Sequence, residues 1–204
     1  MIQITRWIGA ALLVCAGMAL APASQAANRE QAVFGGGCFW AMQAEFEMLR
    51  GVDSAVPGFA GGTQANPSYE GVCAGGTGHA EVIRVIFDPK VIPYRTLVRA
   101  FFGAHDPTTL NRQGPDQGEQ YRSVILTSNR SQTETAQAMV AELTRAKAFA
   151  SPIVTEVKRL EKFYPADEHH QHYFARHPDE PYCKHVVAKE VAHFRSAFGP
   201  LLVH

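Results

Sequence analysis

The sequence has little charge of either sign and no excess of one sign. Its 204 residues carry 19 Lys and Arg against 19 Asp and Glu, so the formal net charge is zero at neutral pH. Balanced charge gives no reason to expect nucleic acid or an anionic membrane surface as a partner. No internal repeat, low-complexity tract or long linker interrupts residues 27–204. These absences leave a globular composition and a length that suits one domain with a sizeable core.

The first 26 residues differ from the rest. Arg6 is the only charged side chain before Arg29, and an apolar run of about 15 residues, 7–21, follows it. Small residues follow and end at Ala26. A charged residue, an apolar run and small residues, in this order, are typical of a secretory signal peptide and its cleavage site. We expect a signal peptide over residues 1–26, cleavage after Ala26, and an exported, periplasmic domain over residues 27–204.

Two other interpretations of this segment are open. An uncleaved membrane anchor would need roughly 20 apolar residues, more than the run offers. A lipoprotein signal at Cys15 would need a small residue where Val14 stands, and no polar tether follows. Export would leave three cysteines, Cys38, Cys73 and Cys183. Because a static disulfide framework favours an even number, at least one thiol is free or a pair forms and breaks.

Strand and helix patterns alternate irregularly along the domain. Two long loops rich in glycine and proline, 60–78 and 105–120, interrupt them, and loops of that length are usually functional. We predict an α/β or α+β class with a mixed sheet and packed helices, without a strand order. The predicted strands are 31–36, 80–88, 121–128 and 153–160, and the predicted helices are 40–50, 94–105, 129–149, 167–177 and 188–198.

The stretch "GGGCFW" places Cys38 between three glycines and two aromatic residues. A strand, a glycine turn and a helix would put the thiol at a helix N-terminus, where the dipole and free N–H groups stabilise a thiolate. The glycines would permit positive φ and close approach of a substrate, and Phe39 and Trp40 would form an apolar wall. A buried core cysteine is the structural alternative.

Glu81 shares one face of a predicted strand with Ile83, Val85 and Phe87. A carboxyl group at the end of an apolar face is partly desolvated, which raises its pKa and makes it a candidate general acid. A glutamate that reaches solvent at the strand end is the alternative. Loop residues Tyr69, Tyr121 and Asp116 could offer polar groups to an oxygen or could simply pack.

Cys183 lies near the C-terminus in "DEPYCKHV", which we interpret as an exposed loop. Such a cysteine can move to meet a sulfenic acid, so it suits a resolving role.

Together these segments resemble the A-type peptide methionine sulfoxide reductases over about residues 32–198. The resemblance rests on "GCFW", "YEGVCAGGTGHAEVIRVIFDP", "HDPTTLNRQGPDQGEQYRS", "HHQHYF" and "PYCKHVV", in the family's order and spacing. It implies a two-layer α/β sandwich with a mixed sheet and a ferredoxin-like core. It also implies thiol-dependent reduction of the S epimer of methionine sulfoxide, free or in proteins, without metal or organic cofactor.

The resemblance assigns a role to each candidate residue. Cys38 attacks the sulfoxide sulfur, and Glu81 gives a proton to the oxygen. Cys183 resolves the sulfenic acid to a disulfide, which a thioredoxin-like donor reduces. Tyr69 and Tyr121 hold the sulfoxide oxygen through their hydroxyl groups, and Asp116 supports this arrangement as a neighbouring carboxylate. Phe39 and Trp40 line the pocket for the methyl group. We expect a monomer without stable membrane association after cleavage, and a structural role for Cys73.

The sequence departs from the family pattern where Ala41 replaces a usual glycine, at Met42 and Gln43, and where His169 replaces a tyrosine. Other functions remain as alternatives. A metal site from "HHQH" with Cys183 lacks a recognised ligand spacing. A general thiol oxidoreductase or peroxidase would leave Glu81 and the two tyrosines without a task, and the chain has no C-x-x-C. A binding module would make the cysteines incidental.

Overall fold

The computed structural model describes residues 29–203, and the predicted signal peptide, residues 1–26, lies outside them. Among the residues described, no helix is both long and apolar enough to cross a membrane. The strands are β1 Glu30–Gly35, β2 Val52–Ala60, β3 Ala80–Phe87, β4 Arg112–Gln113, β5 Asp116–Gln117, β6 Val124–Thr127, β7 Glu156–Arg159 and β8 Phe163–Pro165. The α-helices are α1 Phe39–Glu47, α2 Tyr69–Ala74, α3 Tyr94–Ala104, α4 Arg130–Arg145, α5 Tyr173–Arg176 and α6 Ala188–Phe198.

Six strands form one mixed sheet in the order β7-β6-β1-β3-β2-β8. The β6–β7 pair is parallel, and the other pairs are antiparallel. Strands β4 and β5 form a separate two-stranded hairpin. The predicted class, a mixed sheet with packed helices, is therefore confirmed.

The main core lies between one face of the sheet and the helices. Side chains of β1 and β3 such as Phe34 and Ile83 meet Phe46 of α1, Phe101 of α3 and Phe194 of α6 there. A smaller apolar cluster that includes Val33 and Val82 covers the opposite face. Because successive side chains of a strand alternate between the two faces, β1 and β3 contribute to both clusters. Glu81 thus shares the helix-covered face with Ile83, as predicted.

The helix predicted over 129–149 begins where expected. Asn129 accepts a hydrogen bond from the backbone N–H of Gln132 (2.9 Å) and so caps α4. The two segments predicted as long loops contain short regular elements. Residues 60–78 include α2, and residues 105–120 include β4 and β5. Strand β2 carries Pro57 and Gly58, two residues that weaken a strand signal, and was not predicted. Pairing with β3 along its length holds β2 in the sheet.

The interpretation of Cys183 as part of an exposed loop is wrong. Residues 183–187 form a π-helical turn that leads directly into α6, and the Cys183 side chain is fully buried. The proline and acidic residues before Cys183 gave a loop signal, but they stand at the start of a helix. Proline is compatible with that position because the first helical N–H groups have no partner within the helix.

Candidate active site

Cys38 stands between β1 and α1 as the residue that caps the helix, in the predicted strand–turn–helix arrangement. The Cys38 side chain makes no capping hydrogen bond to the first turn of α1. Gly37 has φ of +105°, where a side chain would be strained. At Gly35 a Cβ atom would lie 2.7 Å from the Glu81 carbonyl oxygen. Two of the three glycines therefore serve the turn and the contact with β3.

The expected stabilised thiolate is absent in this closed arrangement. Cys38 is 8% exposed, and burial raises the pKa of its thiol well above the ordinary value, with the Glu81 carboxylate as the next cause. The Trp40 N–H and the Tyr182 hydroxyl act in the opposite direction but are outweighed. Desolvation thus exceeds the effect of the helix N-terminus. The thiol is held neutral until its surroundings change.

Glu81 lies in the interior at the start of β3, with 1% of its surface exposed. Its carboxylate Oε2 accepts a hydrogen bond from the backbone N–H of Phe39 (3.1 Å). Burial raises the pKa of Glu81 to about 8, although the Phe39 hydrogen bond lowers it in part. A carboxyl group that keeps its proton at neutral pH, beside a cysteine, is equipped to act as a general acid.

The other three predicted polar residues converge on the same point. Tyr69 begins α2, Tyr121 ends a single 3₁₀ turn (Glu119–Tyr121), and Asp116 lies in β5. Burial raises the pKa of both tyrosine hydroxyls, and the nearby Glu81 carboxylate raises both further. Both hydroxyls are therefore protonated at neutral pH and can act as hydrogen-bond donors. Burial also raises the pKa of Asp116.

Aromatic rings enclose this cluster. Phe39 packs against Phe59 and Tyr69, with ring centroids 5.8 and 6.4 Å apart. Trp40 stacks on Tyr173 at 3.8 Å. The predicted apolar wall beside the thiol is present, and it contains more rings than Phe39 and Trp40 alone.

Sequence reasoning missed two residues that lie at the site. The ring of His170 is buried against Tyr69 (4.3 Å between centroids), and neither ring nitrogen has a hydrogen-bond partner. The Tyr182 hydroxyl donates to Asp116 Oδ2 (2.5 Å) and lies beside the Cys38 side chain. The position of Tyr182, directly before Cys183, was the available signal.

The three cysteines in the described range, Cys38, Cys73 and Cys183, are free thiols. Cys73 is exposed on α2 and shares a hydrogen bond with the side chain of Tyr69. Over residues 29–203, no group of three or more His, Cys, Asp or Glu side chains is placed to hold a metal ion.

Comparison with known proteins identifies the family. The family model described as "Peptide methionine sulfoxide reductase" matches residues 30–200. The chain is 49% identical to peptide methionine sulfoxide reductase MsrA of Polynucleobacter asymbioticus, over 85% of this chain and 91% of that protein. The chain belongs to the peptide methionine sulfoxide reductase family. It is therefore an oxidoreductase that reduces methionine sulfoxide, as the resemblance implied.

Solved structures agree with this membership. The reduced form of Mxr1 from Saccharomyces cerevisiae is similar, with a TM-score of 0.70 and 32% identity over 76% of this chain and 89% of that one. Methionine sulfoxide reductase A of Corynebacterium diphtheriae gives 0.69 and 34%, over 79% and 80%. Mxr1 is also known in complex with Trx2. That structure is 22% identical at a TM-score of 0.50, over 71% of this chain and 84% of that one, and shares the fold.

Two of the departures from the reductase pattern, Ala41 and Gln43, have structural explanations here. Ala41 is buried against Val187 and Val191, where α1 meets the last helix. The Gln43 amide donates to the Ala55 carbonyl (2.9 Å) and accepts from the His172 backbone N–H (2.6 Å). Both substitutions thus serve packing around α1 and lie on its buried side.

Proposed function

We propose that Cys38 is the nucleophile of sulfoxide reduction and that Glu81 is its acid. The observation that carries this assignment is the buried Glu81 carboxyl group, which is hydrogen-bonded to the residue after Cys38 and has a pKa of about 8. A sulfoxide oxygen leaves sulfur only when it gains a proton. A thiol with a protonated carboxyl group beside it supplies both partners of that reaction.

The reaction balances with these residues. The Cys38 sulfur attacks the sulfoxide sulfur, Glu81 protonates the oxygen, and the oxygen is transferred to Cys38 as a sulfenic acid while methionine leaves. Tyr69 and Tyr121 donate hydrogen bonds to the oxygen as its charge develops, and Asp116 supports the cluster. The Cys183 thiol then attacks the Cys38 sulfur, so that an S–S bond forms and water leaves. Two electrons from a dithiol donor restore both thiols.

The substrate is the S epimer of methionine sulfoxide, free or in oxidised proteins. The polar groups Glu81, Tyr69 and Tyr121 and the rings of Phe39 and Trp40 form a chiral site, in which only one epimer can direct its oxygen to the donors and its methyl group to the rings. The donor is a thioredoxin-like protein, a choice supported by the known complex of yeast Mxr1 with Trx2.

The mature enzyme is exported to the periplasm as a monomer. The apolar N-terminal run and the small residues that end at Ala26 support this location. Since cytosolic thioredoxin would not reach it there, the donor is itself exported or membrane-tethered. N-terminal sequencing of the chain recovered from a periplasmic extract should start at Ala27. Full-length chain in the cytosol would contradict export.

A stereospecific assay tests the catalytic assignment. The chain is incubated with dithiothreitol and separated S and R epimers of a peptide sulfoxide, and methionine formation is followed. We expect conversion of S alone, and none with Cys38→Ser. Conversion of R would refute the handedness of the site. Turnover by Cys38→Ser would refute the nucleophile, and a reduced wild-type chain that converts neither epimer would turn attention to peroxide as the substrate.

A further inference from the structure

Tyr182 lies over the reactive thiol and contacts three residues assigned to sulfoxide reduction. Its hydroxyl donates to Asp116 Oδ2 (2.5 Å) and lies beside the Cys38 side chain. Its ring meets the ring of Trp40 edge-on, with centroids 6.0 Å apart at 73°. The residues beneath it are almost inaccessible to solvent, with Cys38 8% and Glu81 1% exposed. Tyr182 is therefore one of the residues that surround the buried Cys38 side chain.

The neighbouring residue, Cys183, is held in a buried position by the same turn. The Glu180 carboxylate Oε2 accepts hydrogen bonds from the backbone N–H groups of Tyr182 (3.0 Å) and Cys183 (3.1 Å). The turn that follows, Cys183–Val187, is π-helical, a form that is rare and is frequently found at functional sites. The Cys183 side chain has no exposed surface. Cys183 can therefore meet a sulfenic acid only after this turn has opened.

We propose that Tyr182 is a positioning residue that keeps the resolving cysteine buried until a sulfoxide enters the site. This proposal rests on the proposed function, since it needs Cys38 to react and Cys183 to resolve. The entering sulfoxide displaces the Tyr182 hydroxyl from Cys38 and Asp116. The turn then keeps only the hydrogen bonds to Glu180, and Cys183 moves out together with Tyr182, to which it is bonded.

The energetic basis is competition for one position. The sulfoxide binds only the form in which Tyr182 has left, so binding shifts the population toward that form. Because only open molecules bind the sulfoxide, the apparent dissociation constant equals the intrinsic constant divided by the open fraction. Removal of the hydroxyl should therefore lower KM, and it should expose Cys183 without substrate.

The first test measures the accessibility of Cys183 in reduced enzyme without any sulfoxide. Wild type, Tyr182→Phe and Tyr164→Phe are treated with N-ethylmaleimide, and labelling of Cys183 is followed by peptide mass spectrometry. We expect Tyr182→Phe to accelerate labelling by about tenfold or more, because a hydrogen bond to a charged group is lost. Tyr164 of β8 is the matched control and should behave as wild type. Equal rates for Tyr182→Phe and wild type would overturn the proposal.

The second test separates a positioning role from a structural one. Cys38→Ser, which cannot turn over but retains a hydroxyl for Tyr182, is labelled in the presence of a saturating S or R epimer. The S epimer should accelerate labelling of Cys183, and the R epimer should not. A residue that only stabilises the helix would give no response to the S epimer, and that result would refute the proposal. If Tyr182→Phe does not fold, Asp116→Ala removes the carboxylate that accepts this hydrogen bond, and the same acceleration is expected.

The labelling experiments are independent of turnover. Unchanged labelling in a chain that reduces the S epimer would refute the role of Tyr182 and leave the proposed function intact. Accelerated labelling in a chain that reduces neither epimer would support the closed turn and refute the proposed function.

Discussion

The backbone N–H of Phe39 donates a hydrogen bond to the carboxylate of Glu81, 3.1 Å away, and so joins the residue after the nucleophile to the proposed acid. This bond fixes the carboxyl group beside Cys38, while burial keeps its pKa at about 8. Strand β3 and helix α1 meet at this bond. The bond thus sets the position of the acid, whereas its protonation state is set mainly by burial, which outweighs the lowering effect of the same bond.

Glu81→Gln should lower the single-turnover rate of methionine formation by about 100-fold or more, since general acid catalysis contributes that much. In the wild type the protonated fraction of Glu81 falls as pH rises through about 8, so the acid contribution is lost above that pH. The variant should lack this alkaline fall, because its remaining group, the Cys38 thiol, becomes more reactive as pH rises. Glu70→Gln, on the exposed side of α2, is the control. An alkaline fall that persists in Glu81→Gln would assign it to another group.

Cys183→Ser should release one equivalent of methionine per chain and then stop when thioredoxin is the only reductant. The first step needs Cys38 alone, whereas thioredoxin requires the disulfide that Cys183 forms. Quenched-flow measurement of methionine per enzyme gives the stoichiometry. Continued cycling would show that another thiol resolves, and Cys73, which is hydrogen-bonded to Tyr69, would be examined next by Cys73→Ser.

Glu45→Gln should stabilise the fold at pH 8 relative to the wild type, because ionisation of Glu45 in the unfolded chain lowers the free energy of unfolding and the amide does not ionise. Glu45 of α1 is 1% exposed, its Oε1 has no hydrogen-bond partner, and burial raises its pKa well above the ordinary 4.5, with Glu190 as the second cause. Below 4.5 the carboxyl group is neutral in both states. As pH rises above 4.5 the unfolded chain ionises first, and the free energy of unfolding falls.

Urea unfolding of wild type and Glu45→Gln at pH 5 and pH 8 measures this effect. The difference between the two proteins should be small at pH 5 and larger at pH 8. The exposed Glu161→Gln serves as the control, and its effect on the free energy of unfolding should be equally small at both pH values. A difference that is constant between the two pH values would mean that Glu45 ionises normally in the folded chain.

Gly35→Ala should destabilise the protein by about 1–3 kcal/mol, the usual cost of an overpacked interior. The added Cβ would lie 2.7 Å from the Glu81 carbonyl oxygen, so β3 must shift at the residue that carries the acid, and sulfoxide reduction should fall as well. Gly199→Ala is the matched control, because nothing lies within 4 Å of its Cβ position, and it should stay within about 0.5 kcal/mol of wild type. Wild-type stability and activity in Gly35→Ala would contradict the close contact.

The sequence predicted those parts of the fold that depend on a local feature, such as a capping side chain or the alternation of residues along a strand. Asn129 marks the start of α4 through its own side chain, and alternation along β3 places Glu81 on the apolar face. Strand β2 could not be predicted, because Pro57 and Gly58 disfavour a strand and only pairing with β3 holds them there. Local sequence cannot reveal a stabilising partner that lies elsewhere in the chain.

The candidate site likewise has features that the sequence could predict and features that it could not. The candidate residues were proposed from their types, their spacing and the resemblance to the reductase family, and the structure brings Cys38, Glu81, Tyr69, Tyr121 and Asp116 together. The environment of the thiol was not predicted, since desolvation depends on what covers Cys38. Tyr182 covers it, and Tyr182 is 144 residues away along the chain. The burial of Cys183 was not predicted for the same reason, because it depends on residues that are distant along the chain.

Both edges of the six-stranded sheet end in short strands that offer little to another chain. At one edge β8 has three residues and closes with Pro165, which has no N–H to donate. At the other edge β7 has four residues, among them Glu156, Lys158 and Arg159. Short, charged or proline-ended edges resist pairing with foreign strands. For an enzyme that acts on oxidised proteins, the consequence is that an extended segment of a substrate finds little strand edge here with which to pair.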